Sequence, residues 1–353
     1  MPEVFDDTRL DDEEALSAAD PYLRPLAEAG SRVRREAGAC AEALAAAVAQ
    51  AGAEARPRAV VAAGPDSRLL RAVLEPWCPV PFVAWPGPGL PGWAGALDLV
   101  VVLAPDGSDT GAASAVAEAV RRGCRLVVAC DPASLVGQHA VGRDTTVLPT
   151  TAGDQLASAV VVLELLAALD LGPHSSAEAV ASALDEVSVA CSPYRDLSVN
   201  PAKMLAIALA DGSPVVWGGS VLAARAARRI SEQLRRASGR AALAGDAEHL
   251  LPVLRAVRPR DLFADPFADP FADPFADEGD GAEPRPVLLL LDDGSDDVTV
   301  REQRDRLVTE AQEHDVRVER IEAHEGDGVA RYATLLATGT WAATYVQLGL
   351  GRI

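Results

Sequence analysis

The sequence predicts an α/β protein built of two similar halves, on three observations. Short apolar runs rich in β-branched residues, such as Leu97–Leu103 and Arg125–Cys130, have the hydrophobicity of strands buried on both faces. Each is followed by a turn of small or hydroxyl-bearing residues, or preceded by an Ala-rich segment with helical spacing, so Leu97 to Cys130 reads as one βαβ unit with parallel strands. The same strand, turn, helix grammar is present at Arg58–Leu74 and begins again at Pro214–Arg236, which predicts an internal structural repeat.

Residues 1–20 read as a loose acidic leader. Pro21–Gln50, Ala- and Leu-rich, predicts one or two helices. Arg58–Ala63 is the first buried strand, Gly64-Pro65-Asp66-Ser67 turns the chain, and Arg68–Leu74 begins a helix. Val80–Trp85 is a short strand bounded by prolines, and Pro86–Gly92 a rigid loop. After the central βαβ unit, Thr145–Leu148 predicts a strand, Asp154–Leu169 a strongly apolar helix and Ser175–Val187 a further helix. An apolar helix of that kind is expected to pack between domains or subunits.

The second half opens with a helix from Asn200-Pro201-Ala202-Lys203 to Ala210. Pro214–Trp217 is a strand, Gly218-Gly219-Ser220 a small-residue turn and Val221–Arg236 a long helix. Val287–Leu291, Val300–Glu313, Asp315–Ile321 and Gly328–Leu348 continue as strand, helix, strand and helix. Between them Phe-Ala-Asp-Pro occurs three times from Phe263, followed by Phe-Ala-Asp-Glu. A Pro at every fourth position forbids helix and interior strand, so residues 261–286 read as a disordered surface loop inserted in the second half. The domains are therefore drawn as 21–195 and 196–353.

Composition narrows the functions. A net charge of −20 argues against non-specific binding to nucleic acid or anionic membrane, because the long-range field repels both. No secretory signal pattern opens the sequence, and the most apolar stretch, Leu156–Leu171, is broken by Glu164 and Asp170; a cytoplasmic protein is expected. Five cysteines, Cys40, Cys78, Cys124, Cys130 and Cys191, form no metal-spaced pair and read as reduced thiols; no metal is expected. No G-x-G-x-x-G, Walker loop or G-x-S-x-G appears, which leaves dinucleotide, NTPase and hydrolase readings unsupported. His139, His174, His314 and His324 lie at loops, turns or exposed helix positions without a paired nucleophile. Lys203 is the only lysine.

The turn Asp106–Gly111 lies at the carboxyl end of a parallel strand and opens a helix. There, free backbone N–H groups and the positive end of the helix dipole face one spot, and the Ser108 and Thr110 hydroxyls can add donors. A phosphate or sugar phosphate is the natural ligand of such a place; the alternative is that these residues only cap the helix.

Several of these stretches resemble a known family. Leu97–Thr110 is similar to the strand and hydroxyl-rich turn of sugar isomerase (SIS) domains. Asn200–Lys203, Pro214–Ser220 and Arg225–Gln233 resemble the start of the second half in bacterial and archaeal bifunctional phosphoglucose/phosphomannose isomerases. The resemblance covers roughly residues 20 to 350. It implies two SIS-type three-layer αβα halves, a homodimer through the apolar helices around Leu156–Leu169, and aldose to ketose interconversion of glucose 6-phosphate, mannose 6-phosphate and fructose 6-phosphate, with no cofactor. Such chemistry needs a phosphate cradle, a ring-opening His or Lys, and a carboxylate that moves a proton through an enediol.

The resemblance places the cradle on Gly64, Ser67, Ser108 and Thr110, with Ser220 in the second half. The family's base would fall near Arg236, where this chain has no carboxylate. Glu232, one helical turn earlier, is the nearest substitute, and Gly245–His249 loosely echoes a further family segment, which makes Glu248 and His249 candidates. The bland readings are a solvated helix residue for Glu232 and a surface pair for Glu248 and His249. The family's lysine near the C-terminus has no counterpart. A catalytically inactive phosphosugar-binding regulator of the same fold is the alternative function, and a protein that docks partners through its Phe-Ala-Asp-Pro repeat is a third.

Overall fold

Parallel strands need a crossover connection between them, and nearly every crossover here is an α-helix. In the computed structural model, which describes residues 4–51, 55–257 and 285–353, the order is α1 (Glu13–Ala18), α2 (Asp20–Ala27), α3 (Ala29–Ala51), β1 (Val60–Ala63), α4 (Ser67–Leu74), β2 (Phe82–Trp85), β3 (Leu99–Ala104), α5 (Thr110–Arg121), β4 (Arg125–Cys130), α6 (Leu135–His139), β5 (Thr145–Pro149), α7 (Gln155–Ala168) and α8 (Ala177–Ala190). It continues with α9 (Pro201–Ala210), β6 (Ser213–Gly218), α10 (Val221–Ser238), β7 (Leu243–Ala244), α11 (Ala247–Arg255), β8 (Pro286–Asp292), α12 (Val298–Glu313), β9 (Arg317–Glu322) and α13 (Gly328–Gly349). The α/β class is present with two parallel sheets flanked by helices. The Phe-Ala-Asp-Pro repeat lies outside the described residues.

The chain divides into two compact units, Arg24–Val189 with His324–Ala337, and Met1–Leu23 with Ala190–Ala323 and Thr338–Ile353. The first holds a five-stranded all-parallel sheet in the order β2-β1-β3-β4-β5. Every residue of β1 and β3 is buried, as their unbroken apolar sequences require. On one face α5 contributes Ala112, Ala115, Val116 and Ala119 to a core with Val100, Val102 and Val128. The small alanines let the helix approach the sheet closely.

The apolar helix α7 corrects one expectation. Its residues from Ala157 to Leu163, with Leu165 and Leu166, are all buried within this unit, packed on α3, β3 and β4. A helix apolar on all sides is here a core helix, and no broad face is left for a partner subunit. The charge that interrupts it also has a local purpose: the Glu164 carboxylate accepts the Ala177 N–H at 2.6 Å, capping the start of α8. At the other end Asp154 accepts from Leu156 and Ala157 N–H and pairs with Arg32 at 2.9 Å.

The second unit holds a four-stranded parallel sheet in the order β7-β6-β8-β9. Its core joins Val215, Trp217, Leu288 and Leu290 to Leu250, Leu254 and Leu307 of the helices. β9 is an edge strand whose Arg-Val-Glu-Arg-Ile-Glu sequence leaves its ends exposed, a composition that blunts edge-to-edge pairing.

The expected loose leader is ordered instead. Residues 7–10 form a 3-10 turn followed by α1, and Leu10, Ala15 and Ala19 are buried in this unit. The reason is electrostatic as well as apolar. Lys203 is fully buried, and its ammonium donates to Asp11 Oδ1 at 2.5 Å and to the carbonyls of Pro193 and Arg195 at 2.8 and 3.0 Å. It also lies 5.8 Å from the centre of the Tyr345 ring. Asn200 caps α9 by accepting from Ala202 and Lys203 N–H, while its amide donates to Ser192 O. The Asn-Pro-Ala-Lys segment is therefore a structural knot.

The pair is asymmetric, since the Asp11 side chain is 47% exposed and that of Lys203 is 0% exposed. Asp11→Ala strands a buried ammonium and is expected to lower stability by about 3 kcal/mol. Lys203→Met leaves a carboxylate that water can reach and should cost clearly less. Urea denaturation of the two variants checks the order; equal losses would contradict the assignment of the buried charge.

Candidate functional site

In an open parallel sheet the natural ligand position lies outside the carboxyl ends of the strands, where the strand order reverses. The order β2-β1-β3-β4-β5 reverses between β1 and β3. β1 leads outward through α4 to β2, β3 leads the other way through α5 to β4, and α4 and α5 lie on opposite faces. Four of the sequence-predicted residues, Gly64, Ser67, Ser108 and Thr110, fall on the two loops that border this crevice.

Each loop is shaped for close approach. Gly64 has φ +87°, a conformation that other residues adopt only with strain, and its N–H donates to Trp85 O at 3.0 Å. Gly107 has φ +64°, and a Cβ there would come within 2.3 Å of Ser134 Cβ. Ser67 opens α4 and is buried, yet its hydroxyl has no hydrogen-bond partner among the described residues. A buried unpaired hydroxyl costs free energy, so it marks a position kept for something other than stability. Ser108 and Thr110 are exposed at the start of α5.

Sequence reasoning left three features here unresolved. Asp109, between the two hydroxyl residues, is the N-cap of α5, and its Oδ1 accepts from Ala112 N–H at 2.6 Å. The helix-capping alternative thus holds for Asp109, while Ser108 and Thr110 do not perform it. Asp66, Asp106 and Asp109 give the crevice an acidic border, so an anionic group would be held locally, by the first-turn N–H groups of Thr110 and Gly111 and by the hydroxyls. The Gln155 amide donates to Asp66 Oδ1, tying the β1 turn to α7.

The second feature is Glu36, 4% exposed, which accepts from Thr151 N–H at 3.0 Å and Ala152 N–H at 2.6 Å. It fixes the loop after β5 at the same end of the sheet. Its signal was legible: Val33, Glu36 and Cys40 recur at helical spacing, and an acidic residue on an apolar stripe needs buried donors. The third is Thr150, buried at the end of β5 with a hydroxyl that also lacks a partner among the described residues.

The second sheet reverses between β6 and β8, so its corresponding crevice lies between Gly218–Ser220 and Asp292–Asp293. A Cβ on Gly218 would lie 2.3 Å from Ala223 C, so glycine is required for α10 to pack against the strand end. Ser220 accepts from Ala223 N–H at 3.0 Å as the N-cap of α10 and donates to Asp293 across the crevice. Its hydroxyl is committed, unlike those of the first sheet.

The three candidate proton-transfer residues are not drawn together. Glu232 lies on α10 in an ion pair with Arg229 at 3.0 Å. Glu248 and the exposed His249 lie in the first turn of α11, beyond β7 at the sheet edge, and Glu248 accepts from Arg306 at 2.7 Å. That hydrogen bond and the charge of Arg306 hold the Glu248 carboxyl below the usual carboxylate range. His139 ends the short helix α6, whose five residues give no readable periodicity. His314 Nδ1 donates to Val257 O at 3.1 Å, and the ring lies 3.3 Å from Glu310. No thiol offers a ready nucleophile in the core: burial pushes Cys40 and Cys191 up to about 12 and Cys130 to about 11. Among the described residues no cluster of three or more His, Cys, Asp or Glu could hold a metal, and no helix is long and apolar enough to cross a membrane.

This architecture is that of the phosphosugar isomerase-type folds. The tagatose-6-phosphate ketose/aldose isomerase of Escherichia coli superposes with a TM-score of 0.66 at 13% identity, covering 95% of this chain and 93% of that one. The C-terminal domain of glucosamine-fructose-6-phosphate aminotransferase from Francisella tularensis gives 0.57 at 11% identity, over 91% and 96% of the two chains. A glucose-6-phosphate isomerase like protein from Thermus thermophilus gives 0.50 at 16% identity, over 84% and 82%. Residues 198–352 match the family described as bacterial phospho-glucose isomerase C-terminal SIS domain. No curated protein sequence matches the chain. The family match thus covers residues 198–352 only, and the likeness of the rest of the chain to the solved phosphosugar isomerases is one of fold.

Removing the two structural singularities should have opposite consequences. Ser67→Ala deletes an unpaired buried hydroxyl and is expected to leave stability unchanged or raise it by about 1 kcal/mol. Gly218→Ala drives a methyl into the backbone of α10 and is expected to cost about 3 kcal/mol or prevent folding. Thermal melts of both variants check this; a Ser67→Ala variant as damaged as Gly218→Ala would mean that the hydroxyl is structural.

Proposed function

We propose that this chain binds a hexose 6-phosphate in the crevice between β1 and β3 and interconverts its aldose and ketose forms, with glucose 6-phosphate or mannose 6-phosphate on one side and fructose 6-phosphate on the other. The observation that carries the reading is the coincidence of the strand-order reversal with loops that present Gly64, Ser67, Ser108 and Thr110. The match of residues 198–352 to a phospho-glucose isomerase domain supports the same chemistry.

In that reaction the phosphate anchors the substrate through Ser108, Thr110 and the α5 N–H groups, and the sugar hydroxyls face the carboxylates at the border. A base removes the proton from C2 of the open-chain aldose, electrons shift to give the enediol, and protonation at C1 gives the ketose. Which group acts as the base is left to substitution: Glu232→Gln, Glu248→Gln and His249→Ala, all in the second unit, are the variants to test for loss of deuterium exchange. Held below its usual range by Arg306, Glu248 is ionised at neutral pH and needs no activation, although the same contact makes it a weaker base.

A second reading, a non-catalytic phosphosugar-binding protein of the same fold, is favoured by one specific observation: both carboxylate candidates are engaged by arginines, Glu232 by Arg229 and Glu248 by Arg306. Both readings share the cradle. Calorimetric titration with the three hexose phosphates should therefore show saturable binding. The Ser108→Ala/Thr110→Ala double variant should weaken it at least tenfold, since each lost bond to a charged group is worth about 1–3 kcal/mol. Affinity unchanged in the double variant would remove the site.

A further inference from the structure

A separate cavity lies at the opposite end of the first sheet. It measures about 390 Å³ and sits among the amino ends of β3, β4 and β5 and the last turns of α3 and α7. Its floor is apolar, with Leu99, Leu126, Leu165 and Leu171, and its rim carries Arg56, Arg125 and Arg143 against Asp144 and Asp170. The volume is that of pockets that hold small ligands. None of the loops of the proposed phosphosugar crevice takes part in it, because those loops follow the carboxyl ends of the same strands.

The charge pattern is unusual for this chain. At a net charge of −20, acidic partners for arginine are abundant, and most ion pairs are made close in sequence or between neighbouring helices. Arg56 and Arg143 nevertheless form no ion pair or side-chain hydrogen bond among the described residues. Both are exposed, and they reach the rim from different places, one before β1 and the other before β5. The two carboxylates supply acceptors on the rest of the rim.

We propose that this cavity is a second binding site, for a small amphipathic anion: an apolar or heteroaromatic body on the leucine floor, and a phosphate, sulfonate or carboxylate held by Arg56 and Arg143. The paired acceptors would suit a body that also carries a hydrogen-bond donor. A forked guanidinium matches the planar or tetrahedral oxygens of such a group, and the apolar floor rejects an ion that lacks a body. Inorganic phosphate alone is therefore a poor occupant, and so is a free sugar phosphate with hydroxyls all round.

The test uses the full chain and 1-anilinonaphthalene-8-sulfonate as the probe, followed by fluorescence and by the change in backbone hydrogen exchange on binding. One saturable site is expected, with protection at residues 47–50, 125–127 and 165–171. The Arg56→Glu/Arg143→Glu variant, altered only at exposed positions, should weaken binding by about tenfold or more. Ala168→Trp, which places an indole at the cavity mouth, should weaken it as well, and glucose 6-phosphate should not displace the probe. Binding unaffected by both variants, protection confined to other segments, or displacement by glucose 6-phosphate would each overturn the proposal.

Discussion

The two sheets answer to one constraint: strands that all run the same way, joined by right-handed crossovers, must place their connections on opposite faces wherever the strand order reverses. Between β1 and β3, and again between β6 and β8, the chain ends facing each other belong to connections that part company, and a crevice is left between them. The glycines at Gly64 and Gly218 follow from it, the one by its φ of +87° and the other by the backbone of α10 packed against its α-carbon. So do the serines at the helix starts. The repeat read in the sequence is thus the same geometric solution used twice, with different residues occupying the result.

Those differences divide the labour. In the second sheet Ser220 is spent on capping α10 and on bridging to Asp293, so the crevice is closed by the protein itself. In the first sheet the cap is a carboxylate, Asp109, and the neighbouring hydroxyls stay uncommitted while Ser67 remains unpaired. An acidic border would repel a free anion, yet short-range donors can outweigh it when they point at one place. Stability in the second unit comes from elsewhere, in part from a buried ammonium that fastens the first residues of the chain to the loop before α9.

Much of the fold was legible because continuous apolar strands and Ala-rich helices each carry an unambiguous period. Val100–Leu103 could only be an interior strand, and Arg58–Leu74 repeated the pattern with its own turn. What escaped was set by contacts distant in sequence. The leader looked loose because Leu10 and Asp11 are anchored by residues almost two hundred positions away. α7 looked like an interface because hydrophobicity on all sides does not say which neighbours cover it. At the site, spacing identified the loops but not the cap: Ser108, Asp109 and Thr110 are all good capping residues, and only the backbone path selects the aspartate.

We propose that the first-sheet crevice holds a hexose 6-phosphate whose proton is moved between C1 and C2. The most direct test is the incubation of fructose 6-phosphate with the protein in deuterated water, with the sugar followed by nuclear magnetic resonance. Glucose 6-phosphate or mannose 6-phosphate carrying deuterium at C2 is expected, with loss of that signal in the Ser108→Ala/Thr110→Ala protein. Unaltered fructose 6-phosphate, at concentrations that saturate the wild-type protein, would contradict turnover and leave a sugar-phosphate-binding protein in its place.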